Sequence, residues 1–204
     1  MTQNNQEIES KYFAFDLEPI EFFLLSIGAK CIVPRKFEYN LRFDDEKQTL
    51  NREHRVLRLR KYDDFRLTYK GPGSQVDGAL SRVEIEIVID NFDSAEKILE
   101  ALGYKVAAIY EKYRTMYQLD KALITLDELP YGKFVEIEAE SAAVIKNIAD
   151  QLHLDHSRAI PTSYQRLFEE LRTKKNLSMN NLTFEDFSAL KISPFDLGVL
   201  PADM

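Results

Sequence analysis

The sequence predicts an α+β protein dominated by eight antiparallel strands with helices outside the sheet. Two observations predict it. Eight extended runs recur along the chain, separated by turns or short helices. In seven of them charged residues share one strand face while apolar residues share the other. Eight is also the number at which a sheet can close into a barrel with a narrow interior.

Residues 7–13 alternate as Glu-Ile-Glu-Ser-Lys-Tyr-Phe, the period-2 pattern of a strand. Residues 17–27 read as a helix, with Asp16 as cap, Pro19 in the first turn and Gly28 as stop. A second extended run covers 37–43, before the polar turn Asp44-Asp45-Glu46-Lys47. Strands are expected at 54–62, 65–70 and 80–89, with Gly71-Pro72-Gly73 as the hairpin turn before the last. A short helix over 94–102 would be capped by Ser94 and closed by Gly103. Three further strands follow at 107–119, 122–127 and 133–140, with Leu129-Pro130-Tyr131-Gly132 turning between the last two. Helices are expected at 141–152 and 164–173. Beyond Lys174 the pattern fades. Residues 1–173 are therefore expected to form the domain, and 174–204 a tail that packs loosely or caps it.

At 204 residues the chain is long enough for a core without staples. Its 27 Lys and Arg stand against 34 Asp and Glu, an acidic balance that argues against a nucleic-acid coat but leaves room for a basic pocket. The single Cys31 makes no internal disulfide, and no zinc-type Cys/His spacing exists. Residues 1–13 hold no apolar signal core, and no run is long enough to span a bilayer. A soluble, cytoplasmic protein without a membrane partner is expected.

The strand faces carry the functional content. Glu7, Glu9 and Lys11 share a face, as do Arg58 and Arg60, then Arg66, Thr68 and Lys70, and Arg82, Glu84 and Glu86. Lys112 pairs in this way with Arg114, Thr125 with Asp127, and Glu136 with Glu138 and Glu140. Leu57, Leu59, Leu67, Tyr69, Val83, Ile85, Ile87, Leu123, Val135 and Ile137 are assigned to the opposite, apolar faces, which helices must cover. One such strand is an ordinary solvated sheet face. Seven together place charges of both signs inside the sheet if it closes, which is costly unless a ligand uses them. A polyanion held with a divalent metal uses both. Arg and Lys bind phosphate oxygens, and carboxylates hold Mg²⁺ or Mn²⁺. Arg66 and Glu140 are placed at the rim.

The motifs extend this reading. Glu7-Ile8-Glu9-Ser10-Lys11 resembles the Glu-x-Glu-x-Lys opening of the CYTH superfamily, the triphosphate tunnel metalloenzymes. The family's order continues through Leu57-Arg58-Leu59-Arg60, Leu67-Thr68-Tyr69-Lys70-Gly71-Pro72 and Arg82-Val83-Glu84-Ile85-Glu86. Glu111-Lys112-Tyr113-Arg114, Leu126-Asp127-Glu128-Leu129 and Gly132-Lys133-Phe134-Val135-Glu136-Ile137-Glu138 follow, and Ser163-Tyr164 with Leu167 resembles the closing helix. The resemblance covers residues 7–168 and is nearest to the class IV adenylyl cyclase group.

It implies a closed eight-stranded antiparallel β-barrel, a tunnel with flanking helices. It also implies that Glu7, Glu9, Glu136 and Glu138 hold the Mg²⁺ or Mn²⁺ that bridges the phosphates, with Glu84, Glu86 and Asp127 around a second ion. Lys11, Arg58, Arg60, Lys70, Arg82, Lys112 and Arg114 would grip the triphosphate and, by neutralising its charge, carry the catalysis. The implied partner is ATP or an inorganic or organic triphosphate, and a homodimer is left open. The favoured activity is adenylyl cyclase, giving cyclic AMP and pyrophosphate. Alternatives are a triphosphatase or a module that only binds polyphosphate or nucleotide.

Other residues read as structural. His153 and His156 are assigned to solvated or capping positions, Cys31 to a half-buried one, and Phe22-Phe23-Leu24-Leu25 to a helix core. Tyr110 and Tyr131 are assigned to packing in preference to stacking on a base.

Overall fold

The computed structural model describes residues 6–77 and 79–204, so the amino-terminal stretch read for a secretion signal begins outside the described residues. Eight strands, β1 (Gln6–Ala14), β2 (Lys30–Asp44), β3 (Val56–Lys61), β4 (Phe65–Val76), β5 (Ala79–Ile89), β6 (Lys105–Leu119), β7 (Ala122–Leu129) and β8 (Gly132–Glu138), close into a barrel. The order around it is β1-β5-β4-β3-β2-β6-β7-β8, and every adjacent pair is antiparallel. β1 closes the ring: Gln6 to Glu9 pair with β5, and Glu9 to Ala14 pair with β8.

The helices are α1 (Glu18–Ser26), α2 (Thr49–Arg52), α3 (Phe92–Ala101), α4 (Ala142–Gln151), α5 (Tyr164–Lys175) and α6 (Pro194–Leu197). α1 and α4 bury Ile20, Leu24, Ile145, Ile148 and Ala149 against Tyr12, Ile124, Val135 and Ile137 on the outside of the barrel. α3 sets Leu99 on Leu41, Phe43 and Leu59. α5 brings Leu167, Phe168 and Leu171 to Phe13, Tyr131 and Phe134, and the chain beyond it adds Leu182, Phe187 and Leu197 to the same cluster. Residues after α5 also hydrogen-bond to the barrel: Leu182 bridges to Tyr110, and Pro201 bridges to Phe13. No described helix is long and apolar enough to cross a membrane.

Several local expectations are corrected. Gly71-Pro72-Gly73 is not a hairpin turn but lies within β4, where the register shifts between Lys70 and Gly73. The bulge accommodates the proline, which has no N–H to give the ladder. β2 begins at Lys30, seven residues before the expected run, and two register shifts within Cys31–Lys36 mask its alternation. α3 starts two residues early because the Asn91 side chain, and not that of Ser94, caps it: Asn91 accepts a hydrogen bond from the Ser94 N–H at 2.8 Å. The Phe22–Leu25 run is only partly core, since Phe22 and Leu25 are exposed, and Cys31 is exposed too. Helices do not cover all the apolar faces: Val83, Ile85 and Ile87 on β5 stand about half exposed.

The β7–β8 turn depends on one small residue. A Cβ at Gly132 would lie 2.6 Å from Cε2 of Phe13, whose ring is buried against Phe134. Gly132→Ala is expected to cost about 1–3 kcal/mol by overpacking, read as a fall in urea midpoint. An unchanged midpoint would mean that Phe13 moves aside freely.

Candidate functional site

Because strand side chains alternate, closing the barrel turns the charged faces inward. They surround a cavity of about 320 Å³. All seven cations singled out from the sequence line it: Lys11, Arg58, Arg60, Lys70, Arg82, Lys112 and Arg114. Six of the seven carboxylates do too: Glu7, Glu9, Glu84, Glu86, Glu136 and Glu138. With Arg42 and Arg66, nine cationic side chains line the cavity against six anionic ones, an excess suited to an anion.

The charges are cross-linked. Lys70 Nζ donates to both oxygens of Glu7, at 2.8 and 2.9 Å, and lies 3.1 Å from Glu84. Arg82 reaches across from β5 to Glu7 and Glu9, each at 3.0 Å. Lys11 donates to Glu9 at 2.6 Å and sits 3.7 Å from Glu136. On the other side of the ring, Arg58 donates to Thr68 and to the Tyr110 hydroxyl, while Arg60 makes only a 3.5 Å contact with Glu86. The Nε atoms of Arg58 and Arg60 are buried without a hydrogen-bond partner. These donors are held in place but unspent, as a site for an anion requires.

Asp127, expected as a metal ligand, lies behind the cavity wall. It is fully buried and does not line the cavity. Arg114 donates to both its oxygens at 2.6 Å, Lys112 to Oδ2 at 3.1 Å, and the Tyr164 hydroxyl to Oδ2 at 2.9 Å. Three of those bonds fall on Oδ2 and one on Oδ1, tying Asp127 to Lys112, Arg114 and Tyr164. Tyr164, at the start of α5, lies near both Lys11 and Lys112, whose ammonium groups stand 5.5 and 5.3 Å from its ring centre.

Burial and mutual repulsion act on the remaining carboxylates. Burial pushes Glu138 up to about 7, with Glu7 and Glu136 adding to the effect. Its cross-strand partner is Glu9, another carboxylate. Burial and Glu136 raise Glu9 to about 7, while Lys11 and Arg114 overcome burial to hold Glu136 well below the carboxylate range. Glu136 and Glu9 thus shift in opposite directions, Glu136 lying beside the cations Lys11 and Arg114. Lys70 and Arg82 overcome burial to hold Glu7 at about 2.

This crowding suits a hard divalent cation, because Glu9, Glu138 and Glu84 supply only oxygen donors and gain from added positive charge. No three His, Cys, Asp or Glu side chains among the described residues form a ready-made metal cage. Mg²⁺ does not need one: it is commonly held by one or two carboxylates together with substrate phosphates.

Several residues of the barrel interior lie outside the sequence-based set. Glu38 and Asn40 are fully buried on β2 behind the cavity wall, and Arg42 on the same strand lines the cavity. Their alternation within 37–43 was readable by the same period-2 rule, against Tyr39, Leu41 and Phe43. Arg66, placed at the rim, lines the cavity and donates to Glu86 at 2.6 Å. Leu123, assigned to the apolar outer face, has the parity of Thr125 and Asp127 and lines the cavity. Tyr110 lines it as well, whereas Tyr131 is buried, donating to the Tyr164 carbonyl at 2.9 Å. His156 bonds to the Tyr12 hydroxyl, and His153 packs on Phe23, so neither faces the cavity.

Glu38 offers a pH test. Lys112, Arg114 and the nearby Arg60 and Arg58 overcome its burial and hold it at about 2, against 4.5 for a free carboxyl. Its folded value lies below its unfolded one, so its stabilisation is present above about pH 4.5 and is lost as the pH falls through about 2. Glu38→Gln is expected to flatten the acid-side loss of stability in that window, measured by urea unfolding against pH. Parallel profiles for variant and parent would contradict the assignment.

A CYTH-domain family model matches residues 5–164, which span all eight described strands. The chain belongs to the CYTH family. The CYTH tunnel of this protein is similar to that of other chains. A protein of Methanocaldococcus jannaschii named "Putative adenylate cyclase MJ0240" is 29% identical over 135 residues, covering 65% of this chain and 75% of that one. A solved structure from Vibrio parahaemolyticus, also described as a putative adenylate cyclase, is 23% identical with a TM-score of 0.72, covering 82% of this chain and 99% of the other. A Hippeastrum structure described as a putative adenylyl cyclase with a dominant triphosphatase activity is 16% identical with a TM-score of 0.61, covering 80% and 95%. At these identities the two solved structures establish the CYTH fold.

Proposed function

We propose that the CYTH tunnel of this protein is the active site of a divalent-cation-dependent enzyme acting on a triphosphate, and that the reaction is the cyclisation of ATP to cyclic AMP and pyrophosphate. One observation carries the triphosphate reading: seven cations and six carboxylates from six strands converge on one cavity. Anion binding alone needs the cations and is weakened by the carboxylates, so the carboxylates argue for a bound cation and for turnover. The cyclase reading rests on the motif resemblance and on the names of two relatives.

In this mechanism Arg58, Arg60, Arg66 and Lys70 bind phosphate oxygens along β3 and β4, while Lys11, Arg82, Lys112 and Arg114 bind from the opposite wall. Glu7, Glu9, Glu136 and Glu138, with Glu84 and Glu86, are the candidate metal ligands; a Mg²⁺ or Mn²⁺ ion bound there would neutralise phosphate oxygens and ease departure of pyrophosphate. Asp127 keeps Lys112 and Arg114 aimed inward. The cations fix the chain so that the ribose 3′-hydroxyl can attack the α-phosphorus in line, breaking its bond to the bridging oxygen. Positioning and charge neutralisation supply the rate enhancement.

A triphosphatase is the second reading, favoured by the activity described for the Hippeastrum structure. There water attacks a terminal phosphorus in the same tunnel. Incubation with Mg²⁺ or Mn²⁺ and either ATP or inorganic triphosphate, resolved by ³¹P NMR and nucleotide chromatography, separates the two. Cyclic AMP with pyrophosphate supports the cyclase. Orthophosphate from inorganic triphosphate with ATP untouched supports the triphosphatase, and no turnover of either substrate contradicts both.

A further inference from the structure

A second cavity, of about 550 Å³, opens beside the tunnel and shares Arg42, Val56, Arg82, Ser163 and Gln165 with it. Among the described residues its charged lining is Arg42, Arg52, Arg55, Arg82 and Arg166, against the single carboxylate of Glu169. Three of these cations already have acidic partners. Arg82 holds Glu7 and Glu9, Arg55 holds Glu53, and Arg166 holds Glu170 and faces Glu169. Arg42 and Arg52 do not. Arg42 is half-buried at the junction of the two cavities, and its guanidinium has no hydrogen bond or ion pair among the described residues. Arg52 has only a 3.4 Å contact with the Thr49 hydroxyl.

The segment that presents Arg52, His54 and Arg55 is well anchored. Asp44, itself buried, accepts hydrogen bonds from the backbone N–H groups of Asp45, Leu50 and Asn51, each at 2.9 Å. Asp45 accepts from Lys47 and Thr49 at the same distance. Fixed, unpaired guanidinium groups in a concave site are the usual means of recognising phosphoryl oxygens. Glu169 and Asp44 act on Arg42 from beyond ion-pair distance, but burial outweighs them, so an anion in direct contact would offset a cost that the fold leaves uncompensated.

We propose that this vestibule is a second anion site, which takes one phosphoryl group beyond the triphosphate held in the tunnel. The group is either a fourth phosphate on the same chain or a separate phosphate anion. Arg42 spans the two sites, and Arg52 belongs to the vestibule alone. The placement "beyond the triphosphate" rests on the tunnel reading; the anion site itself does not.

The test is calorimetry without divalent cation, so that nothing turns over, on the parent protein and on the R42Q/R52Q double variant. The probes are inorganic tripolyphosphate, inorganic tetrapolyphosphate, and orthophosphate added to tripolyphosphate-saturated protein. For a same-chain phosphate, the parent binds tetrapolyphosphate roughly tenfold tighter than tripolyphosphate, and the variant loses most of that gap. For a separate anion, the gap is absent, but orthophosphate binds as a second equivalent that the variant loses. Neither a gap nor a second equivalent, or a gap that the variant keeps, overturns the proposal. Orthophosphate binding that depends on the two arginines, with no tripolyphosphate binding at all, would keep the vestibule and reject the tunnel reading. Should the double variant melt well below the parent, the exposed R52Q alone provides the comparison.

Discussion

Arg60→Ala is expected to lower kcat/KM by about 10²–10³ while leaving the melting temperature close to that of the parent. The reason is the way Arg60 is held. It is buried in the tunnel wall, its nearest carboxylate is 3.5 Å away, and its Nε has no partner. Burial and the adjacent Arg58 lower its pKa from the usual arginine value, although the guanidinium stays charged. The folded protein gains little from this group, and the proposed function gives it a triphosphate oxygen as partner. Removing it relieves repulsion with Arg58 and takes away a donor present where charge moves during the reaction. Steady-state kinetics together with a thermal melt check both halves; an unchanged kcat/KM would remove Arg60 from the site.

Asp127→Ala is expected to act in the opposite way, through stability first. Its fully buried carboxylate balances Arg114 and Lys112 and accepts the Tyr164 hydroxyl. Deleting it leaves Lys112 with only Glu38 and Arg114 with only Glu136, each 3.5 Å away, a loss of about 3–5 kcal/mol. For a chain of this size that corresponds to a fall in melting temperature on the order of 10 °C. In a double-mutant cycle, Arg114→Ala should recover part of the loss, because the two residues stabilise each other. A melting temperature within a degree or two of the parent would show that Lys112 and Arg114 do not depend on Asp127, and would return it to the candidate metal ligands.

Much of this was legible because a barrel strand obeys a simple parity rule. Once β1, β3, β4, β5, β6, β7 and β8 were read in steps of two, their inward charges followed, and all seven proposed cations line the cavity. The rule extends to β2. Glu38, Asn40 and Arg42 follow the same parity within 37–43, since the register shifts of β2 near Cys31, Val33 and Lys36 lie before them. Leu123 was put on the wrong face although its parity with Thr125 is plain. Sequence gives the face of Asp127 but not its partners, which come from β6 and from α5, 37 residues further on. The turn at Gly71-Pro72-Gly73 failed for a different reason: glycine and proline also mark bulges, and here the strand continues to Val76. The vestibule was beyond sequence altogether, since it brings Arg42 and Arg52 together with residues of α5.

The central claim is that the charged interior binds a triphosphate through its cations, together with a divalent cation held by its carboxylates. The most direct test is calorimetric titration of inorganic triphosphate into the parent, Arg60→Ala and Glu9→Ala proteins, each with and without Ca²⁺ as a poorly catalytic divalent probe. The account predicts one-to-one binding to the parent that tightens with the cation. Arg60→Ala should weaken binding under both conditions, whereas Glu9→Ala should lose chiefly the tightening by the cation. Triphosphate binding that ignores both substitutions, or no binding at all, would contradict it.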